Sequence, residues 1–377
     1  MKILFYDMGS YLYGDALEAL KEMGHEVRTV YYHFDDRYND PFFCERFEKK
    51  IKEIDPDFIF SINFFPLVAT AAKEHGLLYI SWSCDSPLAA ELEEYFSYDT
   101  NRIWLFDREE VKGYRRKGYT RVYYSPLAAH PVTEPLPSDS RYACDVSFVG
   151  SLYESTLEGL LAPLDEYLRG YLGGLLDVQM SLYGMDILTP SLTDEILDRV
   201  NARYAAVGSG TTINRKGLAF AIQKQITFAE RVTLIDTLGD YFDTRFYSTK
   251  PYPFESKVRF CGPVKYHTQM PLVFRNSRLN LCPTLRSIVS GIPLRSLDIM
   301  ASGGVLMSSY QPELAEYFTD GEDMILYQSL EEAVDKASWY LAHEEERAAI
   351  AGHALPIIRE QFSYRGRLEK ILDESLH

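Results

Sequence analysis

Short apolar runs alternate with helix-length amphipathic stretches along the first 130 residues, and after a proline-rich interruption the alternation resumes. No other feature constrains the fold as much. Strands separated by helical crossovers pair parallel, and the helices then cover both faces of the sheet. Ile3-Leu4-Phe5-Tyr6 opens the series and ends at the loop Met8-Gly9-Ser10. Asp15 is placed to cap a helix over residues 16–23, and Gly24 to stop it. Further strands are read at residues 25–31, 58–62, 78–82, 102–106 and 121–124, with helices over 43–54 and 67–74 between them.

Residues 131–145 hold Pro131, Pro135, Pro137, Ser138 and Ser140, which reads as a linker. The strand pattern restarts at residues 146–149 and turns at Gly150-Ser151. From 153 to 238 the period is helical instead: Leu157, Leu160, Leu161, Leu164, Leu168 and Leu172 recur three or four apart. Strands return at 245–247, 258–260, 278–281, 304–307 and 324–327, and helices over 330–342, 344–360 and 364–375 close the chain. A length of 377 residues suits two domains of ordinary size. The expectation is an α/β protein with two Rossmann-like, doubly wound parallel-sheet domains. Residues 1–132 form the first and 133–363 the second, with a helical insertion at about 153–238. Leu368, Ile371, Leu372 and Leu376 lie on one stripe of the last helix, so residues 364–377 are expected to cross back onto the first domain.

Charge excludes one class of partner. The net charge is −16, whereas a protein that neutralises nucleic-acid phosphates presents a basic face. The one basic cluster, Arg115-Arg116-Lys117 with Arg121, reads as a solvated face, with an acidic acceptor or a headgroup as the alternative. The five cysteines are odd in number and contain no C-x-x-C, which argues against a disulfide framework or zinc site and fits a reducing cytoplasm. The N-terminal apolar run stops at Asp7, so it is expected to be a strand and not a signal peptide. No apolar run approaches the roughly 20 residues a membrane helix needs. Any membrane contact is therefore expected to be peripheral.

The stretch from Gly291 to Gly304 carries the most chemistry. Pro293 suits the first position of a helix, where a missing N–H costs nothing. Gly291 lets the backbone come close to whatever sits at that helix start. The free N–H groups and positive dipole end of such a helix suit a pyrophosphate. Arg286 and Arg295 would add charge-assisted hydrogen bonds, and Asp298 would accept from ribose hydroxyls. The plain alternative is a surface helix whose Arg and Asp form ion pairs and whose glycines only turn.

A resemblance bears on that choice. Tyr266, Met270-Pro271, Asn280-Leu281, Thr284-Leu285-Arg286, Gly291-Ile292-Pro293-Leu294-Arg295, Asp298-Ile299 and Gly303-Gly304 resemble the C-terminal domain of the CgeB-like (spore maturation protein) glycosyltransferases. Glu313-Leu314, Phe318, Gly321-Glu322-Asp323, Tyr340-Leu341, Arg347 and Tyr364 continue the likeness. The residues from Pro56 to Pro66, Ile80-Ser81-Trp82, Asp85-Ser86-Pro87-Leu88 and Phe106-Asp107-Arg108 resemble the N-terminal domain that accompanies this family in clostridia-like bacteria. The likeness implies a GT-B fold with the nucleotide in the C-terminal domain and the acceptor on the N-terminal one. It implies that Gly150, Ser151, Tyr266, Thr284, Arg286, Gly291, Ile292, Arg295 and Asp298 line the nucleotide site. Many retaining GT-B enzymes carry two glutamates where this chain has Ser290 and Asp298, so only the second acid is kept, as Asp.

Glycosyl transfer needs a stabilised leaving diphosphate and, for inversion, a base on the acceptor hydroxyl. Asp55-Pro56-Asp57 precedes a strand, on the wrong edge of a parallel sheet for ligands, so no required metal and no cofactor beyond the donor substrate are expected. Asp7 and Asp85 follow strands of the first domain and are the catalytic candidates, Asp85 being preferred; a loop cap is the alternative for it. UDP is expected as the donor nucleotide from its frequency among GT-B enzymes, and the acceptor is expected to be a carbohydrate or a protein. A nucleotide-sugar epimerase of the same architecture and a non-catalytic spore or surface component are the rival readings. A Rossmann dehydrogenase is disfavoured because no G-x-G-x-x-G follows the first strand.

Overall fold

The protein is described here by a computed structural model covering residues 1–132 and 136–377, so Pro135 of the expected linker lies outside the described residues. It divides into two compact units. One comprises Met1–His130 with Glu360–His377, and the other Pro131–Arg359.

The first unit begins with β1 (Lys2–Asp7), α1 (Tyr13–Glu22), β2 (Glu26–Tyr31), α2 (Pro41–Ile54), β3 (Phe58–Ile62), α3 (Pro66–Glu74) and β4 (Leu78–Ser83). After a 3-10 turn at Ala90–Tyr95 come β5 (Asn101–Leu105), α4 (Arg108–Arg116) and β6 (Val122–Tyr124). The strands form one parallel sheet in the order β2-β1-β3-β4-β5-β6. Burial follows position. The inner strands β1, β3 and β4 are buried almost throughout, as their unbroken apolar runs require, while the edge strand β2 is largely exposed. The start of α1 differs from the sequence reading. The helix begins three residues before Ala16, so Asp15 lies inside its first turn and is not the cap. Asp40, which accepts from the Phe43 amide at 2.9 Å, does cap α2. Gly24, at φ 84°, ends the segment after α1 as a left-handed glycine can.

The second unit starts with β7 (Cys144–Val149). Five helices follow: α5 (Leu157–Leu161), α6 (Glu166–Met180), α7 (Leu188–Ser191), α8 (Asp194–Ala206) and α9 (Arg215–Tyr241). Then come β8 (Thr244–Tyr247), β9 (Arg259–Phe260), α10 (Met270–Asn276), β10 (Ser277–Cys282), α11 (Leu294–Ala301), β11 (Leu306–Ser309), α12 (Pro312–Tyr317), β12 (Ile325–Tyr327), α13 (Leu330–Ala342) and α14 (Glu344–Gln361). This sheet is also parallel and six-stranded, ordered β12-β11-β10-β7-β8-β9. The expected insertion at 153–238 needs refining. Leu218, Ala219, Ile222 and Ile226 of α9 share a core with α5–α8, but Leu234, Ile235 and Leu238 pack in the sheet core. The last helix of the expected insertion is therefore also the crossover that joins β7 to β8.

Inside this sheet a fully buried Asn280 ties three elements together. It accepts from Ser147 Oγ at 2.7 Å and donates to the carbonyls of Phe274 and Val305. Gly304 comes so close that a Cβ there would lie 2.7 Å from the Phe274 carbonyl and 2.9 Å from Asn280 Nδ2. The last helix, α15 (Tyr364–Leu376), belongs to the first unit. It buries Leu368, Ile371 and Leu372, and Trp104 Nε1 donates to Ser375 Oγ at 2.9 Å.

Candidate functional site

In open parallel sheets, ligands bind at the carboxyl ends of the strands, where the strand order reverses and two adjacent loops part. In the second unit that point lies between β7 and β10. The loops leaving it are Gly150-Ser151 and the segment from Pro283 to the start of α11. Pro293 is not the first helical residue, as the sequence suggested. Its backbone is extended (φ −62°, ψ 140°), so it is the N-cap and α11 begins at Leu294. Gly291 and Ile292 are buried beneath this helix start.

Three of the sequence candidates meet on α11. Asp298 is 8% exposed, accepts from Tyr266 Oη at 2.8 Å through Oδ1 and pairs with Arg295 Nη1 at 3.1 Å through Oδ2. Arg295 also touches Met270 Sδ and sits 5.7 Å from the Phe274 ring centre. This is the i, i+3 pairing that helix geometry brings together. It orients a buried carboxylate, and a carboxylate's two oxygens accept several hydrogen bonds at once. The group can therefore accept from a hydroxylated ligand as well.

Arg286 points elsewhere. Its Nε pairs with Glu230 Oε2 at 2.8 Å, and both side chains are almost fully buried. Its guanidinium donates to the Leu182 and Met180 carbonyls and stacks 3.7 Å over the Tyr183 ring. The residue that looked like a phosphate ligand is thus an internal tie between the β10 loop and α9. Thr284 Oγ1 is buried without a hydrogen-bond partner, while its amide donates to Ser309 Oγ at 2.9 Å. Ser151 is exposed, its Oγ accepting from the Tyr153 amide and its carbonyl taken by Arg231. A Cβ on Gly150 would meet only the Phe148 ring at ordinary contact distance, so packing does not require glycine there. A small crevice of about 10 Å³ is lined by Gln179, Tyr183, Arg286, Ser309, Tyr310 and Gln311. At Ser290, where the resemblance would place an acid, the hydroxyl donates to buried Glu313 Oε1 at 2.7 Å. A carboxylate therefore stands next to that position, supplied by α12.

In the first unit the order reverses between β1 and β3. Asp7 ends β1, but its Oδ1 accepts from the amides of Gly9 and Ser10, both at 3.1 Å, so it caps its own loop. Asn63 ends β3 in a left-handed conformation (φ 65°), which Asn tolerates better than most residues. Its Oδ1 accepts from the Cys84 amide and its Nδ2 donates to Asp85 Oδ2, each at 2.8 Å. Sequence reading missed Asn63 as a site residue. The signal was there in Asn-Phe-Phe-Pro directly after a strand, where a polar left-handed residue ends the run before a helix. Glu110 of α4 holds the same loop by accepting from Ser86 Oγ and the Leu88 amide, each at 2.8 Å. Asp85 is exposed at the loop surface, yet surrounding atoms strip part of its hydration. That raises its pKa above the ordinary aspartate value, against the pull of Arg37 and Asn63. Burial pushes the neighbouring Cys84 thiol up to about 12, so it stays neutral.

Asp57 accepts from the Lys2 amide at 2.7 Å on the amino edge of the sheet, a structural role. Among the described residues, no three or more His, Cys, Asp or Glu side chains are grouped to hold a metal ion. No helix among them is long and apolar enough to cross a membrane. All five cysteines are free thiols. At the end of α4, Arg116 and the C-cap residue Lys117 form surface ion pairs with Glu109 and Glu93.

Residues 226–373 match the family model described as glycosyl transferase-like. No curated protein gives a significant sequence match. Among solved structures, sucrose-phosphate synthase from Thermosynechococcus elongatus superposes with a TM-score of 0.58 at 10% identity, covering 100% of this chain and 99% of that one. The UDP-forming α,α-trehalose-phosphate synthase of Burkholderia xenovorans gives 0.55 at 13% identity, with 100% and 99% covered. The Anabaena HepE protein in complex with UDP and glucose gives 0.51 at 10% identity, with 99% of each chain covered. At such identities the likeness is one of fold, and the protein has the two-sheet α/β fold of GT-B glycosyltransferases.

Proposed function

We propose that the protein is a glycosyltransferase that moves a sugar from a nucleoside diphosphate held by residues 131–359 to a hydroxyl of a carbohydrate or protein acceptor held by residues 1–130. One observation carries the reading. At the switch point of the second sheet, within a GT-B fold, Asp298 of α11 is buried and held by Tyr266 and Arg295. Asp298 accepts from the ribose hydroxyls, as acidic residues of related nucleotide folds do. The first turn of α11 and Arg295 stabilise the diphosphate. Arg286 is left out of this set because its guanidinium faces Glu230. UDP is the proposed nucleotide, supported by the complexes of the Anabaena protein with UDP and glucose and with UDP-glucose. The sequence motifs support placement among the CgeB-like enzymes.

In the proposed reaction the acceptor oxygen bonds to the anomeric carbon as the bond from that carbon to the diphosphate oxygen breaks. Asp85 takes the acceptor's proton, and its raised pKa suits a base that must hold it. The diphosphate leaves with its charge met by the helix dipole and Arg295, so no metal is required. The test is turnover of a panel of nucleotide sugars with and without carbohydrate acceptors. Acceptor-dependent release of nucleoside diphosphate supports the reading. Failure to bind or turn over any nucleotide sugar sinks it, and interconversion without acceptor moves the protein to the epimerases.

A further inference from the structure

Helix α9 runs through two hydrophobic cores, and its polar residues sit at the seam between them. Thr227, Glu230 and Arg231 are buried there, at 0%, 2% and 8% exposure. Arg231 directs its guanidinium at two loop carbonyls. Nε and Nη2 donate to the Pro283 oxygen at 3.0 and 2.6 Å, and Nη1 donates to the Ser151 oxygen at 2.5 Å. The rings of Phe148 and Tyr153 lie against the same guanidinium, at 5.3 and 4.9 Å. Glu230 pairs with Arg286 at 2.8 Å and accepts from Tyr183 Oη at 3.0 Å. Thr227 Oγ1 accepts from the Arg286 amide at 3.0 Å. Ser151 and Pro283 follow the carboxyl ends of β7 and β10, the two strands that flank the switch point.

We infer that Glu230 and Arg231 are positioning residues for the donor, one clamp on α9 that sets the separation and orientation of the two loops at the switch point. Burying a guanidinium is costly, so one placed there is kept only where its hydrogen bonds are well made. Arg suits the task because its planar fork reaches two carbonyls at once, whereas a lysine ammonium is a single point. Two consequences follow for an anionic ligand. The carbonyl oxygens of Ser151 and Pro283 are drawn into the protein and cannot repel phosphate oxygens in the crevice. The loop that leads to the start of α11 is fixed from below by Arg286, so the helix amides meet a diphosphate without reorganising. The helices that precede α9 thereby act on the donor site without touching the donor.

This inference rests on the proposed donor reading. Its test is UDP binding by calorimetry on the full chain, with steady-state kinetics and amide hydrogen exchange, for Arg231→Lys and Tyr183→Phe. Arg231→Lys keeps the charge but loses the fork. It is expected to weaken UDP binding by roughly tenfold or more, the scale of one charge-assisted hydrogen bond. The donor KM should rise, the acceptor KM and the pH profile should hold, and faster exchange should be confined to residues 150–154 and 283–291. Tyr183→Phe keeps the ring on Arg286 and removes only the hydroxyl to Glu230. It is expected to give a smaller shift of the same kind, and it carries the test should Arg231→Lys not fold. Folded variants of both residues that bind UDP as wild type does, or whose exchange rises evenly over the unit, overturn the clamp and leave the donor reading standing. A wild-type protein that binds no nucleoside diphosphate overturns both.

Discussion

The two units are built on sheets of the same size and differ in order and in how they hold their acids. The first sheet, counted from its own first strand, runs 2-1-3-4-5-6, and the second runs 6-5-4-1-2-3. Both have one reversal point; Asp298 follows a strand that flanks it in the second unit, while Asp85 follows β4, one strand beyond it in the first. In the second unit Asp298 is buried against an arginine and a tyrosine. In the first, Asp85 is exposed and held by a single amide, with Arg37 near. A paired, buried acid is held in one place, which suits binding. A partly desolvated acid with a raised pKa suits proton transfer. The difference suggests a division of labour: changes at the second site should act on donor affinity, and changes at the first on turnover.

The sharpest way to break that division is Asp85→Asn. If Asp85 is the base, kcat should fall by roughly 10²–10⁴-fold with donor affinity unchanged. In the wild type, kcat/KM should fall on acidification through a pKa above the ordinary aspartate value, and the variant should lack that limb. The sign for stability is opposite to that of a salt-bridged acid. Because the folded state raises the pKa of Asp85, ionisation above that pKa disfavours folding. Asp85→Asn should therefore not lower the melting temperature at neutral pH. An active variant, or one that fails to bind donor, removes the assignment.

Asp298→Ala comes next. It leaves Arg295 and Tyr266 without their shared acceptor and should weaken UDP binding by about 1.5–3 kcal/mol in calorimetry. Loss of turnover at saturating donor, with affinity intact, would reverse the roles assigned to the two units.

Gly304→Ala tests the frame beneath the second site. A Cβ there runs into the Phe274 carbonyl and Asn280, so overpacking should cost on the order of 1–3 kcal/mol in denaturant unfolding. Wild-type stability would show that the strand can shift, and that the loops of β10 and β11 are less firmly held than the Asn280 network suggests.

The smallest expected effect is that of chelation. If α11 and Arg295 stabilise the leaving group, activity should persist in excess EDTA. Loss on chelation, restored by Mg²⁺ or Mn²⁺, would show that a divalent cation supplies the charge assigned to the second unit.

Local pattern settled much of the architecture. The unbroken apolar runs of β3 and β4 announce strands buried on both faces, and Gly24 marks a helix end. Arg295 and Asp298 are three residues apart on one helix, so their contact is readable from spacing alone. Such features need only near neighbours along the chain. What depended on packing was which distant groups meet. Strand order places Asn63 beside Asp85, 22 residues away, and turns Arg286 to Glu230 across 56 residues of sequence. It also brings Ser375 to Trp104 and makes α9 the crossover between β7 and β8. An arginine after a strand looks the same in sequence whether it faces a ligand or a buried glutamate. Only the fold determines which partner lies within reach, because a buried charge settles on the partner that best offsets its lost hydration.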